Sequence, residues 1–152
     1  MYLRKRGWGI IPIYEKDMKA MKGPRVFPRI GLDSIIAPDM QAYKDDKVCW
    51  IEAKRKSCFA WNYTHKAWVT GIDKKYFSHY QEIEKETPWK VWIFFDHLEK
   101  AQPKGTPEGK ESPYGMFYHS LKHLSENIHH TSEKWGSLGM VYWHHDTLLK
   151  CP

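Results

Sequence analysis

The sequence is poor in cysteine, with only Cys49, Cys58 and Cys151 among its 152 residues. These are too few and too scattered for a disulfide framework or a cysteine-based zinc site, and a reducing cytoplasm is the simplest setting. Long apolar runs are missing too. Nothing approaches the ~18 residues of a membrane span, so no membrane partner is expected. No signal peptide opens the chain: Met1 to Arg6 is basic, but the apolar stretch after it is short and interrupted. Internal repeats and low-complexity blocks are absent. The one stretch rich in Pro and Gly, Gln102 to Gly109, reads as a surface loop, because the chain beyond it is too short for a second core.

Aromatic residues, by contrast, are plentiful, with eight Trp and nine Tyr. That content argues against disorder. The length fits one compact domain over residues 1–152. The net charge of +6 suits a phosphate-rich partner, although basic balance alone is weak evidence for one.

Short runs rich in β-branched and aromatic residues predict strands at Gly9–Tyr14, Ile35–Ala42, Val48–Lys54, Val91–Asp96, Met116–His119 and Met140–Trp143. Lys44-Asp45-Asp46-Lys47 is a polar connection, which makes the second and third strands an antiparallel hairpin with its tip in solvent. Two helices are predicted. Asp73 to Glu86 carries Tyr76, Phe77, Tyr80 and Ile83 at helical spacing, with Asp73 as its cap; Ser120 to Ile128 carries Leu121, Leu124 and Ile128. The order implies an α/β fold, a small mixed sheet flanked by helices.

The segment that carries chemistry is the hairpin. Side chains alternate between faces along a strand, so Glu52 and Lys54 project together. Cys49, Ile51 and Ala53 take the other face, apolar and suited to a core. Asp39 stands across the hairpin, where it approaches Glu52. Two carboxylates and one ammonium then meet. Mg²⁺ favours one or two carboxylates with several waters retained. A metal so held lowers the pKa of its water and polarises a phosphoryl oxygen. Lys54 would offset charge on the phosphate or help hold the attacking water as hydroxide. The carbonyl of Ala53 is a further oxygen ligand.

Pro38-Asp39 followed thirteen positions on by Glu52-Ala53-Lys54 resembles the PD-(D/E)xK nuclease superfamily, which includes restriction endonucleases, junction resolvases and phage recombination nucleases. The wider stretch from Trp68 to Asp73, Tyr80, and Thr87 to Trp92 resembles phage-type members, which places the protein in a bacterial or phage-infected cytoplasm. The resemblance implies a restriction-endonuclease-like mixed sheet with helices on both sides. It implies a divalent-metal-dependent endodeoxyribonuclease, with Asp39 and Glu52 holding Mg²⁺ or Mn²⁺ and Lys54 assisting. Its partner would be branched, duplex or single-stranded DNA. Junction cutting needs two active sites, hence a homodimer. One departure stands out: family members often carry an acid on a helix before the sheet, and Met1 to Gly7 leaves little room for it. Asp33 is the first candidate replacement and Glu15 the second.

Gln41, Arg55, Lys56 and Trp61 are the candidate nucleic-acid contacts, with Tyr63 and Trp68 as further stacking groups. Core or rim packing is the commoner use of such aromatics. His79, Tyr80 and Gln81 fall on the helix after the hairpin; one of them is a candidate to orient phosphate or water, Tyr80 fitting the core better. Nine histidines form no zinc motif of proper spacing and read as surface or capping groups. Asp96 reads as a turn-initiating residue at a strand end. Two other functions compete: a non-catalytic nucleic-acid-binding protein that keeps the nuclease fold, and a viral interaction protein using its aromatics as binding hot spots.

Overall fold

The backbone pairs around a ten-residue strand, Lys47–Lys56, whose alternation puts Trp50, Glu52, Lys54 and Lys56 on one face. The computed structural model describes residues 2–13, 24–28, 34–103, 105–136 and 138–152. In chain order the elements are α1 (Tyr2–Lys5), β1 (Gly9–Pro12), β2 (Arg25–Val26), β3 (Ile35–Ile36), β4 (Met40–Lys44), β5 (Lys47–Lys56), β6 (Ala60–Asn62), β7 (Ala67–Asp73), α2 (Lys74–Glu86), β8 (Lys90–His97), β9 (Gly115–Ser120), α3 (Leu121–Glu126), β10 (His130–Ser132), β11 (Met140–His144) and β12 (Leu149–Lys150). A 3₁₀ turn, His145–Thr147, joins the last two.

Six strands form a mixed sheet in the order β1-β4-β5-β8-β9-β12. The β5–β8 pair is parallel and its other pairs are antiparallel. A parallel pair needs a long crossover, and here β6, β7 and α2 supply it. Four strands make a second sheet, β10-β11-β7-β6. This is the α/β, restriction-endonuclease-like arrangement of a mixed sheet flanked by helices.

The expected antiparallel hairpin of β4 and β5 forms, with Met40 opposite Ile51, Gln41 opposite Trp50 and Lys44 opposite Lys47. Asp45 at its exposed tip has φ 54°, a left-handed conformation that Asp tolerates. The strand expected over Ile35–Ala42 is broken in two. Ile35 and Ile36 pair with β2, and Pro38 interrupts the run before β4 begins. Pro38 has no N–H to give a ladder, and it is fully buried.

The larger core lies on the Glu52 face, not the opposite one. Val91, Ile93 and Phe95 of β8 are fully buried there, beside Trp50 and under Phe77, Tyr80 and Ile83 of α2. Trp143 joins them and donates its indole N–H to Leu124 O at 2.8 Å. Cys49 and Ile51 belong to a smaller cluster on the other face, covered by Tyr2 and Leu3 of α1, whereas Ala53 is exposed. Asp96 does not begin a turn; it lies within β8, next to Arg55 of β5. His97 is also no surface histidine, being 1% exposed with its ring stacked 3.7 Å from Phe59. No helix among the described residues is long and apolar enough to cross a membrane.

Candidate active site

Regular pairing between β4 and β5 ends at Met40 and Ile51, and the next residues fill the gap with side chains. Asp39 N–H donates to Glu52 Oε2 at 3.2 Å, and Asp39 Oδ2 accepts from Ala53 N–H at 2.9 Å. One carboxylate thus replaces a missing backbone acceptor. The Asp39 carbonyl accepts from Ile13 N–H at 3.0 Å, and Ala37 N–H donates to Pro24 O at 2.8 Å. With Pro38 stiffening the chain, the position of Asp39 is held from both sides.

Glu52 is 1% exposed, in the interior of the sheet. Lys54 forms an ion pair with Glu52 Oε1, and its Nζ also lies 5.0 Å from the Tyr76 ring centroid. Helix α2 places Tyr76 and Tyr80 one turn apart, so both face this spot. The Tyr80 hydroxyl neighbours the Glu52 carboxylate. Burial pushes the pKa of Glu52 above the usual carboxylate range. Lys54 opposes that rise, the nearby Asp39 charge adds to it, and Tyr80 helps to hold the charged form.

These groups line a cleft of about 370 Å³ together with Pro24, Arg25, Ile36, Ala37 and Lys75. Its walls carry three cations, Arg25, Lys54 and Lys75, against two carboxylates. His79 registers the same field. Its pKa is lowered by burial and then by Lys75 and Arg25. A cavity of about 430 Å³ opens on the opposite face of the sheet, walled by Tyr2, Trp8, Trp92 and Phe94 and lacking any carboxylate. The smaller cleft therefore holds the chemically equipped surface.

Asp39, Glu52 and Lys54 are brought together, and the Ala53 backbone adjoins them. The nucleic-acid candidates scatter. Lys56 shares the Glu52 face; burial and the Lys54 charge lower its pKa, partly offset by Asp73. Gln41 is half-buried opposite Trp50 on that face, outside the cleft wall. Arg55 projects from the opposite face, because it is one residue out of phase with Lys54. Trp61 packs edge-on against Trp68 at 5.0 Å within the second sheet, and Tyr63 is exposed. His79 Nδ1 accepts from Ile36 N–H at 3.4 Å, and Gln81 donates to Ser125 Oγ at 3.2 Å, so neither faces the carboxylates. Asp33 and Glu15 lie outside the described residues.

Arg25, Lys75 and Tyr76 were not among the expected site residues. Tyr76 had a signal, since it sits four residues before Tyr80 on the helix stripe. Arg25 had none, as only the pairing of β2 with β3 carries it to the cleft.

No family model and no curated protein sequence matches this chain. Among solved structures, it is similar to Hjc, a Holliday junction resolvase from the archaeal hyperthermophile Archaeoglobus fulgidus. The TM-score is 0.50 at 8% identity, covering 95% of this chain and 81% of that one. At such identity the likeness concerns the fold.

Proposed function

We propose that this protein is a divalent-metal-dependent nuclease that hydrolyses DNA phosphodiester bonds, with Asp39, Glu52 and Lys54 at its centre. The observation that carries this reading is the meeting of those three side chains at one end of a cation-lined cleft. The likeness of fold to a junction resolvase supports it.

The donor set fits a hard dication. Glu52 is buried beside a second carboxylate, and the Asp39 charge adds to the cost of charging Glu52. A cation between them would offset that cost. Asp39 and Glu52 would hold Mg²⁺ or Mn²⁺ through carboxylate oxygens. The Ala53 N–H points toward Asp39, and in an extended strand the carbonyl of the same residue leaves by the same edge. That places a third, neutral oxygen on the acidic side. When bound, such an ion supplies Lewis acidity and an acidified water.

Lys54 holds its ammonium beside Glu52 over the cleft, positioned to stabilise charge gathering on a phosphate. Arg25 and Lys75 are set to take neighbouring phosphates of the same strand. Tyr76 and Tyr80 wall off one side and keep Glu52 in place.

The test is cleavage of branched, duplex and single-stranded DNA in the presence of Mg²⁺ or Mn²⁺. Wild-type protein is expected to cut at least one of these. Glu52→Ala and Lys54→Ala are expected to lose at least a hundredfold in rate, the scale of a lost electrostatic group. Cutting by both variants at wild-type rates would sink the proposal. The Lys54–Glu52 ion pair favours a second reading, since it satisfies the carboxylate without a metal. A non-catalytic DNA-binding protein of this fold would bind DNA with strong salt dependence, cut nothing, and keep its affinity in Glu52→Ala.

A further inference from the structure

The far end of β11 gathers imidazoles that the cleft does not use. His144 closes the strand, and His145 and Asp146 open the 3₁₀ turn behind it. The rings of His144 and His145 are 5.2 Å apart, and His129 lies 6.0 Å from His144. His130 contacts His129, Nδ1 to Nδ1, at 2.7 Å. Asp146 binds both of its neighbours, with Oδ2 3.3 Å from His144 Nδ1 and Oδ1 3.0 Å from His145 Nε2.

Protons alone leave this arrangement in conflict. His144 Nδ1 accepts the Asp146 backbone N–H at 3.1 Å. While it accepts, it has no proton to donate to Asp146 Oδ2, and its lone pair faces an anionic oxygen. The Nδ1 of His145 is buried without a hydrogen-bond partner among the described residues. A cation held by His144 and Asp146 would remove the clash between them, with His145 offering one of its two ring nitrogens.

We propose that His144, His145 and Asp146 form a binding site for a nitrogen-preferring transition-metal dication of the Zn²⁺ class, with His129 as an adjoining imidazole. The donor atoms of the three residues all lie within 4.8 Å of one another. Zinc bonds of about 2.1 Å set tetrahedral donors roughly 3.4 Å apart, so about 1 Å of side-chain movement closes the site. Two imidazoles on one such ion stand roughly 5 Å apart ring to ring, the spacing His144 and His145 already have.

The site differs from the cleft in both place and preference. Asp73, at the α2 end of β7, pairs with Met140, whereas His144 pairs with Val69. Four strand residues put the two ends roughly 14 Å apart. Imidazole favours Zn²⁺, Ni²⁺ or Cu²⁺, while the oxygen donors of the cleft suit Mg²⁺. Its role follows from its position. The chain leaves the second sheet at His144 and enters the first at Leu149, which pairs with Tyr118 of β9. A metal here would clamp the crossing between the two sheets.

The full chain carrying Glu52→Gln, which weakens the cleft as a competitor, would be titrated with Zn²⁺ by calorimetry and with Co²⁺ by visible absorption. One equivalent of Zn²⁺ is expected, with a tetrahedral Co²⁺ spectrum and a rise in Tm that equal Mg²⁺ does not produce. His144→Ala with His145→Ala is expected to abolish binding. Asp146→Asn, at an exposed position, is expected to weaken it at least tenfold while preserving the fold. The proposal is overturned if no Zn²⁺ binds, or if Asp146→Asn binds as tightly as its parent. Cleavage is not read, so the outcome is independent of the nuclease reading.

Discussion

Two buried ionisable side chains respond to pH in opposite senses. Glu52 has a folded pKa above its unfolded value, mainly through burial. The folded state then holds its proton more tightly, and stability falls as pH rises from the ordinary carboxylate value of about 4.3 through the raised one. Glu52→Gln removes that cost. Its Tm is expected to exceed that of the wild type at pH 8, with the gap closing near pH 4; equal Tm values at both would contradict the assignment. His97 has its pKa pushed down to about 4, chiefly by burial. Here the unfolded chain binds the extra proton first, so stability is lost as pH falls from about 6.5 toward 4. Urea melts of His97→Leu are expected to show a flatter slope across that window than wild type, and an unchanged slope would assign the acid sensitivity elsewhere.

Among the elements, β7 is the longest of the strands that the sequence concealed, beside the short β2, β6, β10 and β12. Ala67 to Ile72 are buried throughout, so no alternation marks the run. Gly71 faces Tyr142 across the β7–β11 pair, and a Cβ there would meet the Tyr142 ring at 2.8 Å and the Val141 carbonyl. Gly71→Ala is expected to cost about 1–3 kcal/mol by overpacking, read as a lower urea midpoint; an unchanged midpoint would mean that β11 yields freely. The helices were easier to see. The Phe77, Tyr80 and Ile83 stripe buries as its spacing required, and Ser120 caps α3 by accepting from His123 N–H at 3.4 Å. Asp73 stands at the cap position of α2 without a side-chain cap bond. The helix expected to reach Ile128 stops at Glu126, and the Asn127 amide donates to His123 O at 2.9 Å beyond it.

At the scale of the whole molecule the charge is uneven in a useful way. The net +6 is modest, yet Arg25, Lys54 and Lys75 share one cleft. If the cleft carries a DNA backbone, each phosphate contact contributes close to one counterion to the salt slope. Arg25→Ala and Lys75→Ala are each expected to weaken DNA binding and lower the slope of log K against log salt by about 1. Arg55→Ala, on the opposite face, is expected to leave the slope unchanged. Fluorescence anisotropy over a salt series measures all three, and a drop for Arg55→Ala alone would move the interface to the other face of the sheet.

The sequence by itself determined what depends on neighbours along the chain. The period of two sets Glu52 and Lys54 on one face, and the four-residue polar connection sets Asp39 across from them, so this part of the candidate site was legible from spacing. Even there it showed only part of the packing: Cys49 and Ile51 do join an apolar cluster, but the larger core lies on the Glu52 face. Both sides of β5 are covered between Cys49 and Glu52, and alternation cannot say which side receives the larger core. Tertiary structure alone decided the rest. Arg25 reaches the cleft through β2–β3 pairing, Lys75 through the packing of α2, and His129 meets His144 only because β10 pairs with β11. Those contacts join residues far apart in the chain. Their partners are chosen by how apolar surface is shared between sheets and helices, and no local pattern of residues encodes that choice.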